Sequence, residues 1–362
     1  MKTQKWLPAL AVITLIIGFP LTLCGEGVEL KSGGPMAFGK KGVLFVADPV
    51  NAQVHAIETG DTEKANKSAT LKVEGIDSKI ASMLGTETRA IRINDLAVNP
   101  ANGNAYVSVT RGSGDSSKSL ILKVNADNGK ISEVDLGELK STSVKIPNPA
   151  SGKDRRGRDQ RRESITDIML INGELYVAGL SNEEFASNLR AIPYPFKDSS
   201  EGSSIEIYHG AHGQFETRSP IRTFAAYDVG GETNLLAAYT CTPLVRIPVN
   251  SLKPKSKVKG TTIAELGNRN RPLDMIVYKK DGSDYILMAN SARGIMKIKL
   301  AEIEKQVAIT ERVTRGGTEG LAYDTIKDWT GVMQLDKVND EKVMLLIRNK
   351  DGSHDLKVVS MP

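Results

Sequence analysis

Side chains that advertise chemistry are scarce in this sequence: it has two cysteines, four histidines and two tryptophans in 362 residues, and aromatics make up only 5%. There is no CxxC pair and no CxxCH, which removes the familiar signatures of thiolate metal sites and covalent haem attachment. The Gly-x-Ser-x-Gly turn of serine hydrolases and the glycine-rich phosphate loop are missing too. A net charge of +5 is too small to argue for nucleic-acid binding, and none is expected. No convincing long amphipathic helix can be traced, so an all-α or alternating α/β fold is not indicated.

What the chain does have is turn chemistry and short apolar strands. Its 33 glycines, 40% apolar content and 25% charged content fit a turn-rich globular protein able to build a real core. Residues 1–25 read as a secretory signal peptide, with Lys2 and Lys5 before an apolar run from Leu7 to Leu23 and cleavage expected near Cys24 or Gly25. An exported, periplasmic or extracellular protein is therefore expected. An uncleaved membrane anchor and a lipidated Cys24 are the alternatives. Loss of Cys24 would leave Cys241 alone and allow no internal disulfide, so stability must come from packing.

One phrase recurs along the chain: turn residues, a short apolar strand, a gap with Gly or Asn, and a second apolar strand. The copies are GGPMAFGKKGVLFVADPVNAQVHAI, INDLAVNPANGNAYVSVTRG, ITDIMLINGELYVAGLS, IRTFAAYDVGGETNLLAAYTCTPLVRIPV and RPLDMIVYKKDGSDYILMANSARGIMKIKL, with a looser sixth from GTEGLAYD onward. Pro35, Asp95, Asp167, Thr223, Asp274 and Gly320 take matching places on their first strands. Such a repeat predicts an all-β, six-bladed β-propeller of four-stranded antiparallel blades, with seven blades as the alternative. A single domain over 28–362 is expected, with long insertions at 141–164 and 181–203 and a strand from the N-terminal GVELKSG completing the last blade. The first copy resembles the NHL-type repeat, in Pro35, Gly42, LFVAD and Asn51. The chain as a whole resembles the NHL, YVTN and gluconolactonase-like propellers. These motifs are structural, and the resemblance implies a fold without choosing a function.

SIEIYHGAHG, residues 204–213, places His209 and His212 three apart. By analogy with SLILKVNADNGKISEVDL it reads as a hairpin between the third and fourth strands at the outer rim. Residues i and i+3 of an extended strand face opposite ways, and no third ligand is evident, so an ordinary turn is expected here.

The face around the channel mouth is the expected site. Loops between blades would bring Asn94, Asp95, Asp167, Arg222, Arg271, Asp274 and Glu319 there. Loops between second and third strands would add Cys241 and Asn290. Asp95, Asp167 and Asp274 could gather three carboxylates on one axis and hold Ca²⁺ or Mg²⁺; the structural alternative is that each caps N–H groups of a neighbouring strand. Arg222 and Arg271 could clamp an anion or neutralise those carboxylates. The basic run 153–162 could dock an acidic partner. The leading reading is an exported, monomeric propeller that binds a small molecule or protein partner at its channel face. A metal-dependent hydrolase or lactonase is the second, and a redox or quinone-associated propeller the third.

Overall fold

The computed structural model describes residues 27–64, 70–154, 156–199, 201–241 and 243–362, so the leader expected over 1–25, with Cys24, lies outside the described residues. Six antiparallel blades surround a channel, each built on four strands. Their innermost strands, in chain order, are Met36–Phe38, Ile91–Val98, Asp167–Ile171, Ile221–Val229, Pro272–Lys280 and Val332–Lys337. Among the described residues no helix is long and apolar enough to cross a membrane.

Second strands such as Glu174–Leu180 and Glu232–Tyr239 lie between two neighbouring blades, so both their faces are covered. Their near-continuous apolar stretches, LYVAGL and NLLAAY, follow from that burial. Tight hairpins join first to second strands where Asn172-Gly173 and Asp281-Gly282 take positive φ at both positions, which matches the right-handed twist of the flanking strands.

The order of blades around the ring is not their order in the chain. Blade 1 packs against blade 2 through Leu44, Val46, Ala97 and Ile121, and on its other side against blade 3 through Phe45, Val54, Ile168 and Val177. Blade 2 meets blade 6 through Val107, Leu122, Met344 and Leu356. The ring therefore runs 2-1-3-4-5-6 and closes from blade 6 to blade 2.

Two strands far from their blades in sequence produce this order. After three strands of blade 1 the chain crosses blade 2, and Lys72–Val73 becomes the outer strand of blade 6, pairing with Lys357 and Leu356. A short helix, Ile76–Met83, then leads into blade 2, and only afterwards does Ser141–Lys145 return to complete blade 1. Asp61 anchors the crossing: its carboxylate accepts from Asn102, Asn104, the Tyr106 hydroxyl and Lys123, all on blade 2. Burial pushes that carboxyl up, but the Asn104, Lys123 and Tyr106 donors outweigh it and hold its pKa below the usual range.

Three sequence expectations are corrected. The closing strand is Lys72–Val73, not GVELKSG; the N-terminal segment instead runs beside blade 2, where Val28 N–H donates to the Leu136 carbonyl. The stretch 141–164 contains blade 1's outer strand, and 181–203 contains blade 3's third strand, Ser187–Pro193, so neither is purely an insertion. The sixth inner strand starts at Val332. Gly320 belongs to Thr318–Gly320, which extends the outer edge of blade 4. The crossed closure predicts that cysteines at Lys72 and Lys357, direct partners in an antiparallel ladder, form a disulfide in the folded protein. A gel shift under oxidising conditions in a Cys241→Ser background tests this. A pair that stays reduced would contradict the closure.

Candidate functional site

Four inner strands carry a bulge at the same level of the channel, between Ile93 and Asp95, Ile221 and Thr223, Pro272 and Asp274, and Val332 and Gln334. Each bulge turns the following side chain to the axis. The matching residues are thus Asp95, Thr223, Asp274 and Gln334, with Asp167 opening its own strand at the same level. Gln334 was missed because the sixth repeat was read from GTEGLAYD, upstream of its true inner strand.

The carboxylates bond to their neighbours in one rotational sense. Asp95 Oδ2 accepts the Met36 N–H of blade 1 at 2.6 Å. Asp167 Oδ2 accepts Phe224 N–H of blade 4, and Asp274 Oδ2 accepts Leu335 N–H of blade 6, each at 2.8 Å. Asp336, one layer further along, accepts Val98 N–H of blade 2 at 2.7 Å. The second oxygens of Asp167, Asp274 and Asp336 take the N–H of the next residue in their own strand. Gln334, with its amide nitrogen facing them, donates to Asp274 Oδ2 at 2.7 Å and Asp95 Oδ1 at 3.3 Å. This is a belt of side-chain to main-chain bonds joining adjacent blades, the capping alternative weighed for these residues. Asp336 joins it without a matching repeat position, which is why the sequence did not single it out.

These carboxyl groups touch the channel lumen but are otherwise walled in by protein. Burial raises all four. Asp167 is pushed up to about 7 against the Phe224 N–H, and Asp336 to about 6. Asp95 and Asp274 lie well above the ordinary range, from burial first and from the charges of the other belt carboxylates second. The belt therefore carries less negative charge near neutrality than four ordinary carboxylates would.

Asp95, Asp167, Thr223 and Asp274 divide the channel into two chambers. The mouth, of about 280 Å³, is lined by Gly33, Asn94, Arg162, Glu163, Thr166, Arg222 and Arg271 above the belt. The far chamber, of about 380 Å³, is lined by more apolar residues such as Leu96, Ile168, Phe224 and Met275. At the mouth Arg222 is engaged, with Nη1 2.5 Å from Glu163 Oε2 and Nε donating to the Thr240 hydroxyl. Asn94 is engaged as well, accepting from Arg92 and donating to Thr110. Arg271 differs: among the described residues its guanidinium has no hydrogen bond or ion pair, and only its main chain is used, its N–H donating to the Ser291 hydroxyl and its carbonyl accepting the Ser291 N–H. Desolvation within the mouth, then the Arg222 charge, lower its pKa.

Three candidates sit elsewhere. Cys241 occupies a left-handed turn of blade 4 with φ 64°, its N–H on the Asn270 carbonyl, outside the mouth lining. Asn290 is buried and structural: it donates to Asn270 Oδ1 and accepts the N–H groups of Ala292 and Arg293. Glu319 lies on the outer edge of blade 4, in register with Glu265 and away from the channel. The basic run partly folds on itself, since Asp154 accepts the Arg156 and Arg158 N–H groups and pairs with the Arg158 guanidinium. Its end, a one-turn helix Gln160–Glu163, carries Arg162 and Glu163 to the mouth.

No family model and no curated protein sequence matches the chain. Solved structures resemble it remotely along most of its length. A PQQ-bound aldose sugar dehydrogenase from Streptomyces coelicolor is 15% identical over 94% of this chain and 97% of that one, with a TM-score of 0.36. A putative gluconolactonase is 8% identical over 92% and 90%, TM-score 0.32, and a streptogramin B lyase 9% identical over 92% and 95%, TM-score 0.31. At such identities and scores the likeness assigns no activity to this chain.

Proposed function

We propose that the protein is a binding propeller whose channel mouth holds a small anionic ligand, with Arg271 as the principal anchor. The observation that carries this reading is the Arg271 guanidinium, unpaired among the described residues, at a rim also lined by Arg162 and by the Arg222–Glu163 pair. The belt below offsets that positive charge only in part, because burial disfavours the ionised form of its carboxyl groups. A ligand with a carboxylate or phosphate at one end and hydroxyl or amino donors at the other would meet guanidinium above and carboxyl oxygens beneath.

A divalent cation at Asp95, Asp167 and Asp274 is the competing occupant. It would have to share oxygens that already accept main-chain N–H groups and would displace the belt's protons. Catalysis is a further reading, favoured by one observation: Asp167, at about 7, is poised to exchange a proton with whatever occupies the mouth.

Calorimetric titration with phosphate, citrate and gluconate, and separately with Ca²⁺ and Mg²⁺, tests the choice. Arg271→Ala should weaken anion binding tenfold or more, on the order of the 1.5–3 kcal/mol of a charged hydrogen bond, with melting unchanged because the side chain is at the surface. Stoichiometric Ca²⁺ or Mg²⁺ binding that Asp274→Asn abolishes, with Arg271→Ala silent, would replace this reading by the cation site.

A further inference from the structure

The stretch containing His209 and His212 forms a hairpin, as expected, but one strand further out than expected. Ser203–His209 is the fourth strand of blade 3, and residues 210–213 turn into a fifth, Gln214–Glu216, beyond it. The alternation rule fails because His212 lies in the turn and not on the strand: its N–H and that of Gly213 both donate to the His209 carbonyl. The turn folds one imidazole over the other, with ring centroids 3.9 Å apart, and pairs His209 with Gln214, so that Glu216 follows two residues along the same hairpin. His209 Nδ1 lies 3.0 Å from Glu216 Oε2, and His212 Nδ1 lies 2.5 Å from Glu216 Oε1. The third ligand absent from the sequence reading is therefore Glu216.

We propose that His209, His212 and Glu216 form a binding site for a borderline divalent metal ion, Zn²⁺ above all, at the outer edge of blade 3. Their candidate donor atoms lie within 4.8 Å of one another. Metal bonds of about 2.0–2.2 Å in tetrahedral array set donors roughly 3.4 Å apart, so His209 and Glu216 need to part by only a few tenths of an ångström. His212 has further to move and is free to do so, being half exposed on its turn. The same exposure gives an ion a way in and leaves a fourth position for water. Two imidazole nitrogens and one carboxylate favour Zn²⁺ over Ca²⁺ or Mg²⁺, which prefer all-oxygen sites.

A second observation points the same way. His209 is 2% exposed, and its Nε2 has no partner among the described residues; Glu265, 1% exposed, has an Oε2 that is likewise unpartnered. The two residues interact electrostatically, and Glu265 Oε1 is fixed by the Gly210 N–H inside the same turn. No hydrogen bond joins Nε2 to Oε2 in this structure; metal on Nδ1 would place the His209 proton on Nε2 and let these two buried atoms pair. Carboxylates commonly orient ligating histidines in this way. The Ser219 hydroxyl, 2.6 Å from Glu216 Oε2, orients the third ligand.

The test is titration of chelator-treated protein with Zn²⁺ by calorimetry, with Co²⁺ absorption as an independent readout of coordination. One equivalent should bind, with a rise in melting temperature and Co²⁺ bands of a four-coordinate site. Removal of a ligand should cost at least the roughly 10–100-fold lost with an outer-shell partner, so His212→Gln and Glu216→Gln should each weaken binding by that much or more. His212→Gln is the deciding variant, since a half-exposed side chain on a turn can change without unfolding the blade. Asp167→Asn and Asp274→Asn should leave the Zn²⁺ affinity as it is. Absence of saturable binding, wild-type affinity in His212→Gln, or loss of binding only in the channel variants would each overturn the proposal.

Discussion

Raising the pH from 5 to 8 is expected to lower the protein's stability by about 2–4 kcal/mol, seen as a fall of several degrees in melting temperature. Asp167 at about 7 and Asp336 at about 6 have folded pKa values raised above the ordinary carboxylate range, and Asp95 and Asp274 lie well above it. An unfolded aspartate titrates near 3.9, so between about pH 4 and 7 the folded belt holds protons that the unfolded chain has released. Stability falls with pH wherever the folded state binds more protons, and each pKa unit is worth about 1.4 kcal/mol. Access of water to the channel keeps the total below the simple sum for four such groups. Glu216 acts oppositely: although burial raises it, its bonds to His209, Ser219 and His212 prevail and hold it at about 2, so its contribution is lost as pH falls below about 4.5. A stability maximum near pH 5 should result. Melting curves across this range check it, and a curve rising from pH 5 to 8 would show that the belt is ionised throughout.

Replacing Asp274 by alanine should cost about 2–5 kcal/mol, because two main-chain N–H groups, Met275 in its own strand and Leu335 in the next blade, lose their acceptor at once. Asp336→Ala should behave alike through Lys337 and Val98. Asp274→Asn keeps one acceptor oxygen and should cost about half as much. Two separate effects are expected: melting should drop sharply, while anion affinity should fall less than in Arg271→Ala, because the belt oxygens meet only the ligand's neutral donors. Urea denaturation paired with titration of the same variant gives both numbers. Unchanged melting would mean that the inter-blade bonds contribute nothing net.

The strand pairs of the propeller were legible because each second strand is covered on both faces and so announces itself as an apolar run. The places of Asp95, Asp167 and Asp274 were legible for a related reason, a polar residue recurring within each first strand. The ring's closure was not, since Lys72–Val73 is two residues long, and no periodicity can be read from two residues. Nor was the blade order, which depends on contacts such as Asp61 with Asn104 and Lys123 that no local pattern encodes. Glu319 is drawn to the channel on sequence alone because the sixth repeat, aligned on Thr318–Gly320, starts two strands before the true inner strand. The histidine pair was misjudged for a different reason: a strand rule was applied across a turn, and only the turn decides where His212 goes.

The crossed order of the first two blades has a consequence for how the chain is made. Ribosomes deliver this sequence from the N-terminal end, at about 5–20 residues per second. Blade 1 emerges with Gln53–Glu58 as an open edge and waits for Ser141–Lys145, while Lys72–Val73 waits for Lys357 and Leu356, far later in the chain. The second delay is on the order of a quarter of a minute to a minute. Until Ser141–Lys145 arrives, the six residues Gln53–Glu58 present an unpaired strand edge of the kind that recruits foreign strands. Newly made copies, rather than mature ones, are thus where this protein is most exposed to misassembly and most in need of a chaperone.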